Sequence, residues 1–209
     1  MVEIIDNTVQ LAVTTGCAVW AGVLGFHYKS HRYSLLACFY ATFALGLLYW
    51  LLFLILKSYT PKLFYVSDLS WIASFLFLLL LSFSIIKDEE RGYRPFAAFA
   101  VSFVLLLLTV KICSFGDYGN TLIWCLLLTV CGYLSTRGLL YARKQSGNNR
   151  QMQYLHITIL FIVFTEFILW LTSCYFKGDT LRNPYYWCDF ALTIGLFALM
   201  PAMKKAVNK

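Results

Sequence analysis

The sequence predicts an all-α, polytopic membrane protein with seven transmembrane helices. Of its 209 residues, 60% are hydrophobic, 18% are aromatic and 13% are charged, whereas about 25% of the residues in a soluble domain are charged. The apolar residues also form seven separate segments, each near the length of about 20 residues with which a helix crosses the hydrocarbon core. The connecting loops are too short to form a soluble domain, so the function must reside in the membrane part.

The seven predicted helices follow one another with short polar connections. Glycine, proline, asparagine and charged residues separate them, which is the composition of turns and loops. Seven cysteines are scattered within the spans without the spacing of a metal site, and we expect no metal or other cofactor. The predicted spans are residues 8–26, 34–56, 66–86, 95–113, 121–141, 154–175 and 185–203.

The loops differ in their lysine and arginine content, which indicates how the chain lies in the membrane. Twelve of these residues fall on one predicted side and four on the other, and cytoplasmic loops carry the excess. We therefore expect the N-terminus outside, the C-terminus in the cytoplasm, and the plasma membrane of a bacterium as the location. The twelve are Lys29, Arg32, Lys87, Arg91, Arg94, Arg137, Arg143, Lys144, Arg150, Lys204, Lys205 and Lys209, and the four are Lys57, Lys62, Lys177 and Arg182.

The two halves of the chain echo each other. Similar residues recur in the first and fifth, second and sixth, and third and seventh spans, in the same order and the same membrane orientation. The pattern suggests two parallel three-helix units in a single domain of residues 1–209, with units at 7–87 and 120–203 and a linker helix at 95–113. The matching positions are Asn7 and Asn120, Trp50 and Trp170, Tyr65 and Tyr186, and Asp68 and Asp189.

This 3+1+3 arrangement, in a chain of this length with its N-terminus outside, resembles the SWEET-type sugar transporters and the vitamin transporters related to them. The resemblance covers the topology of the whole chain and implies a transporter fold. It includes no motif, because the Pro-Gln signature of that superfamily is absent: Pro61 lies in a loop and Pro201 near the cytoplasmic end. No functional residue is therefore carried over.

Three carboxylates lie within or at the edge of the predicted spans. Glu166 falls near the middle of the sixth span, Asp189 just inside the seventh, and Asp68 at the outer mouth of the third. Burying a charged carboxylate in hydrocarbon costs at least about 2.5 kcal/mol, so we expect the three to line one polar cavity open to the outer face. Lys111, near the outer end of the fourth span, either extends its ammonium group to the membrane surface or is a counter-ion for Asp117, Asp189 or Glu166. The alternative is that Glu166 only fixes helix packing, while Asp68 and Asp189 stabilise helix N-termini.

Aromatic side chains crowd the same outer half of the spans. An interfacial belt accounts for part of them, but indoles beside carboxylates also suit a flat or cationic organic solute, through stacking and cation–π contacts. We predict no catalytic and no metal-binding residue. The predicted ligand-binding residues are Glu166, Asp189, Asp68, Trp170, Tyr65, Tyr186, Trp71, Lys111 and Trp50.

Three classes of function remain open. A small-solute transporter is favoured, because short loops, a duplicated layout and a midplane acid suit alternating access. A seven-helix receptor or sensor would use the same cavity but would signal to a separate cytoplasmic protein. An intramembrane enzyme that uses Asp68 and Asp189 is the third class, although the sequence contains no catalytic motif. The expected partners are membrane lipids, a small-molecule ligand and a further copy of the chain or a signalling protein, and not nucleic acid.

Overall fold

The computed structural model describes residues 2–57, 65–116, 118–145 and 150–207. In these ranges the chain folds into eight α-helices and contains no strand. Seven of the helices are long and apolar enough to cross a membrane, which confirms the predicted architecture of a seven-helix membrane protein. The helices are α1 (Val2–His27), α2 (His31–Lys57), α3 (Tyr65–Ile85), α4 (Asp88–Arg91), α5 (Phe96–Cys113), α6 (Tyr118–Arg143), α7 (Met152–Tyr175) and α8 (Pro184–Val207).

Several helix bounds differ from the sequence prediction, and two differences bring polar residues into the interior. α1 begins at Val2 rather than at residue 8, because the polar residues before the apolar run face the protein interior, as the burial of Asp6 shows. The loop after α3 contains the short helix α4, in which Glu90 is the buried residue. The earlier start of α1 adds a polar turn of helix, which includes Asp6, to the interior of the bundle.

Six of the long helices form a closed ring. α1 packs on α2 and α2 on α3, and in the second half α6 packs on α7 and α7 on α8. The halves meet at two seams, α1 against α8 and α3 against α6. α5 lies outside the ring, against α6 and to a lesser extent α7. Both halves therefore pack their helices in the same order, as a duplication would require, while the duplication itself stays a prediction.

The outer surface of the bundle is apolar. On α5, large side chains recur at three- and four-residue intervals and are half or more exposed: Phe96, Phe99, Phe103, Leu107 and Val110. A contiguous apolar surface of this kind is unfavourable in water, but it matches the hydrocarbon core of a bilayer. The polar residues are instead turned toward the ring interior, where Glu166 and Asp189 are buried.

The ring is closely packed toward the end where α1 finishes and α2 begins, which we call the basic end because most lysines and arginines lie there. The buried hydroxyl of Tyr40 on α2 reaches across the ring and donates a hydrogen bond to the carbonyl oxygen of Leu196 on α8 at 2.6 Å. Gly195 lets Phe161 approach α8, since a Cβ at position 195 would lie 2.8 Å from the phenyl ring. Toward the opposite end, which we call the cavity end, the described helices leave a large cavity between them.

A buried ion pair closes the basic end. Arg137 Nε lies 3.7 Å from Glu90 Oε1, and both side chains are buried. Burial raises the pKa of Glu90 above its ordinary value, and the nearby Arg137 and Lys87 offset only part of this effect. The folded protein therefore holds this proton more tightly than the unfolded chain. The contribution of Glu90 to stability is present at acidic pH and is lost as the pH rises through its folded-state pKa.

Candidate functional site

A cavity of about 390 Å³ lies inside the ring at the cavity end. All six ring helices contribute to its walls, whereas no residue of α5 lines it. Pockets that bind small organic ligands have volumes of about 300–1,000 Å³, so the size fits such a ligand. The lining residues are Glu3, Asn7, Gln10, Phe43, Leu47, Trp50, Asp68, Trp71, Trp124, Glu166, Leu169, Trp170, Ser173, Phe176, Lys177, Asn183, Tyr185, Tyr186, Asp189 and Leu192.

Most residues predicted to bind a ligand meet in this cavity. Its walls include Glu166, Asp189, Asp68, Trp170, Tyr186, Trp71 and Trp50. Tyr65 is the first residue of α3, but its side chain lies outside the described part of the structure. Whether these residues bind a ligand stays a prediction; what the structure adds is that they share one enclosed space.

Lys111 lies elsewhere. Its side chain is exposed, and its ammonium group lies over the rings of Phe115 and Tyr175, at 5.2 and 5.9 Å from their centroids. The reason is the position of α5, which packs outside the ring and cannot direct a side chain into the cavity. The structure therefore does not place Lys111 as a counter-ion of Glu166 or Asp189.

Glu166 is a buried carboxyl group in the cavity wall. It lines the cavity but is only 2% exposed. It makes no hydrogen bond and no ion pair with any described residue. The ionisable side chain that acts on it electrostatically is another acid, Asp189. A buried carboxylate without a partner is strongly unfavourable, so this group must carry a proton or face a cation. Either state allows it to respond to what enters the cavity.

Asp189 on α8 accepts a hydrogen bond from a side chain of α1. Gln10 Nε2 donates a hydrogen bond to Asp189 Oδ1 at 2.7 Å and a second to Thr193 Oγ1 at 3.0 Å. The fully buried carboxyl group of Asp6 lies one turn of α1 before Gln10, on the same interior face. Neither of its oxygens has a hydrogen-bond partner among the described residues. A buried carboxylate without a hydrogen-bond donor is strongly unfavourable, so Asp6 must carry a proton.

The two ring seams carry the same kind of bridge. At the seam of α3 and α6, Asn120 Nδ2 donates to Asp68 Oδ2 at 2.7 Å, and at the seam of α1 and α8, Gln10 donates to Asp189. In each case the acid belongs to the third helix of one half and the amide to the first helix of the other. Asp68 and Asp189 thus lie at the two different seams of the ring.

Two pairs of tryptophans lie in the cavity walls. The rings of Trp124 and Trp170 meet edge to face, with centroids 4.2 Å apart, and those of Trp50 and Trp71 lie 6.0 Å apart. The indole N–H of Trp124 is buried and has no acceptor among the described residues. The walls can therefore offer π faces to a cation, and an N–H group to an acceptor atom.

The mouth of the cavity is ordered by polar contacts. Trp50 Nε1 donates to Glu3 Oε1 at 3.0 Å, which ties the start of α1 to the end of α2. The backbone N–H of Glu3 donates to Asp179 Oδ1 at 3.0 Å, which ties it to the segment before α8. α8 itself begins with Pro184, and Asn183 Oδ1 caps it by accepting from the N–H of Tyr185 at 3.0 Å. These contacts hold Tyr185 and Tyr186 at the cavity wall.

The sequence prediction missed the contribution of α1. Glu3, Asp6, Asn7, Gln10 and Thr14 are spaced like one face of a helix, and all except the partly exposed Glu3 are buried. That polar stripe was visible in the sequence as an i, i+3, i+4, i+7 pattern. It was missed because the span was placed where the apolar residues begin. Trp124, Ser173 and Tyr185 carried no signal that distinguishes them from other aromatic or small residues of the spans.

Among the described residues, no group of three His, Cys, Asp or Glu side chains could hold a metal ion. No protein-family model, no curated protein and no solved structure matches this chain. The chemistry of the cavity therefore carries the functional conclusion.

Proposed function

We propose that this protein binds a small organic solute in the cavity and carries it across the membrane, as a small-solute transporter. The observation that carries the proposal is Glu166: a buried carboxyl group without a protein partner that lines an enclosed, tryptophan-walled space. Intramembrane ionisable residues that face a bundle interior mark solute or ion pathways. The position of the cavity inside a ring of two three-helix halves also suits a transporter, since such sites lie between repeats.

The cavity end is assigned to the outside of a plasma membrane. The support is the excess of lysine and arginine at the basic end. A cysteine that replaces exposed Thr180 should react with an impermeant thiol reagent in intact cells, and one that replaces exposed Arg150 should not. Each is placed in a variant in which Cys38, the exposed native cysteine, is changed to serine. The reverse labelling pattern would contradict the assignment.

Binding can be read from the protein's own fluorescence. Trp50, Trp71, Trp124 and Trp170 line the cavity, so titration with benzyltrimethylammonium should change tryptophan emission saturably. Trp124→Phe should remove a large part of that change, because the Trp124 indole lines the cavity in contact with the Trp170 ring.

Trp20 supplies the matched control for this titration. It is 40% exposed and does not line the cavity, so Trp20→Phe should leave the change intact. Equal losses in Trp124→Phe and Trp20→Phe, or no saturable change with any organic solute, would contradict the proposal.

A receptor or sensor is the second candidate, and the packing of the basic end favours it. The buried Tyr40 hydroxyl bonds across the ring to the Leu196 carbonyl oxygen, a contact that a receptor could keep closed permanently. A transporter must open this region, whereas a receptor must not. Release of radiolabelled benzyltrimethylammonium from proteoliposomes distinguishes the two: a transporter accelerates it above protein-free vesicles and a receptor does not.

A further inference from the structure

Asp6, Glu166 and Asp189 form a buried carboxyl cluster on the side of the cavity made by α1, α7 and α8. Asp6 is fully buried, Glu166 is 2% exposed and Asp189 is 4% exposed. Asp189 is linked to the other two, because Gln10, which donates a hydrogen bond to Asp189, lies one turn of α1 from Asp6, and because Asp189 lines the same cavity as Glu166. Glu166 and Asp189 line the cavity, whereas Asp6 does not.

No basic side chain of the described residues neutralises this cluster. Lys177 lies at the mouth, is exposed and donates to the carbonyl oxygen of Ser173 at 2.9 Å. Lys111 faces the aromatic rings of Phe115 and Tyr175. The ionised cluster would therefore be strongly unfavourable, and the carboxyl groups must hold protons when no cation is bound. The other titratable groups around them are Glu3, Tyr185, Tyr186 and Cys188 on the α1 and α8 side and Cys125 on α6.

The aromatic walls supply an independent indication of the ligand. The Trp124 and Trp170 pair and the Trp50 and Trp71 pair share the cavity with Glu166. Tryptophan is the best side-chain partner for an organic cation, and the buried indole N–H of Trp124 has no acceptor among the described residues. A bare metal ion would not use this space, since metal ions bind through several converging oxygen, nitrogen or sulfur ligands.

We infer that the ligand is an organic monocation, an amine or quaternary ammonium, which binds beside Glu166 and Asp189 and displaces a proton from the carboxyl cluster. This inference rests on the proposed function and names its substrate class. On binding, one positive charge enters the cavity and one proton leaves through the mouth, so the charge of the occupied site equals that of the empty one. No covalent bond to the ligand forms or breaks. The protein is then an exchanger of protons for organic cations.

Two probes of the same shape isolate the effect of charge. Choline and 3,3-dimethylbutan-1-ol differ only in the quaternary nitrogen, which is replaced by carbon in the alcohol. Choline should bind with release of about one proton per molecule, measured with a pH indicator in weakly buffered detergent solution. Its affinity should fall about tenfold for each pH unit of acidification in the range where the cluster is protonated. The alcohol should bind at least about tenfold more weakly and release no proton.

Variants of Glu166 test the role of the cluster. Glu166→Gln keeps the shape of the side chain but cannot ionise, so it should weaken choline binding and reduce proton release to the part that Asp189 supplies. Glu166→Asp keeps a carboxyl group and should restore release. Glu89→Gln removes an exposed acid on α4 and should behave like the wild type. Melting temperatures close to that of the wild type show that each variant is folded.

The outcomes separate this inference from the proposed function. Equal binding of choline and the alcohol without proton release overturns the exchange while leaving a solute-binding cavity in place. Proton release that is unchanged in Glu166→Gln overturns the role of the cluster. If choline, the alcohol and benzyltrimethylammonium all fail to bind, the inference is wrong. The proposed function is also wrong if neutral aromatic solutes leave the tryptophan fluorescence unchanged as well.

Discussion

Gly46→Ala is expected to weaken ligand binding by about tenfold or more while the protein stays folded. A Cβ at position 46 would lie 2.7 Å from Trp71 Nε1 and 2.9 Å from Trp71 Cδ1, so the indole ring must move. Trp71 lines the cavity, and the cavity is the open space available to the ring. The displaced ring should therefore occupy volume that the ligand needs, at a cost of about 1.4 kcal/mol or more in binding free energy.

The controls for Gly46→Ala are two glycines of α1. A Cβ at Gly16 or at Gly22 would meet no atom within 4 Å, so alanine there should leave binding unchanged. The double variant Gly46→Ala with Trp71→Phe should recover part of the lost affinity, because the smaller ring leaves room for the new methyl group. Affinity is measured by fluorescence titration with benzyltrimethylammonium. Wild-type affinity in Gly46→Ala would show that Trp71 does not border the ligand.

Gly138→Ala is expected to destabilise the protein, in contrast to Gly46→Ala. A Cβ at position 138 would overlap the imidazole ring of His156, which is 4% exposed and lies at the closely packed basic end. The ring has no cavity of useful size to enter, so the added methyl group must strain α6 and α7. Overpacking of this kind costs about 1–3 kcal/mol, which lowers the melting temperature by roughly 2–12 °C in a chain of this size.

Thermal unfolding in detergent measures this effect, with Gly22→Ala as the control that should melt like the wild type. The double variant Gly138→Ala with His156→Ala removes the overlapping ring and should recover part of the loss. An unchanged melting temperature in Gly138→Ala would contradict the close packing of α6 and α7 at the basic end.

The sequence predicted the seven helices because length and hydropathy determine them directly. A span needs about 20 apolar residues, and each predicted segment of that kind corresponds to a helix of the structure. The sequence also indicated that Glu166, Asp68 and Asp189 would gather around one cavity, since buried acids avoid lipid. Their grouping within one cavity agrees with that expectation, while their role in binding is still to be measured.

The order of the helices around the ring could not be predicted in the same way. Apolar helices in lipid have similar surfaces, so the pattern of one helix does not reveal its neighbours. For that reason Lys111 remained a candidate counter-ion of Glu166, although α5 lies outside the ring. Asp6 and Gln10 were missed for a different reason, because they precede or interrupt the apolar run that marks the first span. Their partner Asp189 is 179 residues from Gln10 in sequence, and only the closed ring brings them together.

A crystal structure with a brominated ligand would show most directly whether an organic cation binds in the cavity beside Glu166. Crystals grown with (4-bromobenzyl)trimethylammonium would locate the bromine by its anomalous signal and the ammonium group by the density attached to it. We predict one site inside the ring, with the ammonium within about 6 Å of the Trp170 or Trp124 ring and beside the Glu166 carboxylate. Bromine found only on the lipid-facing surface, with Glu166 in contact with protein atoms alone, would contradict it.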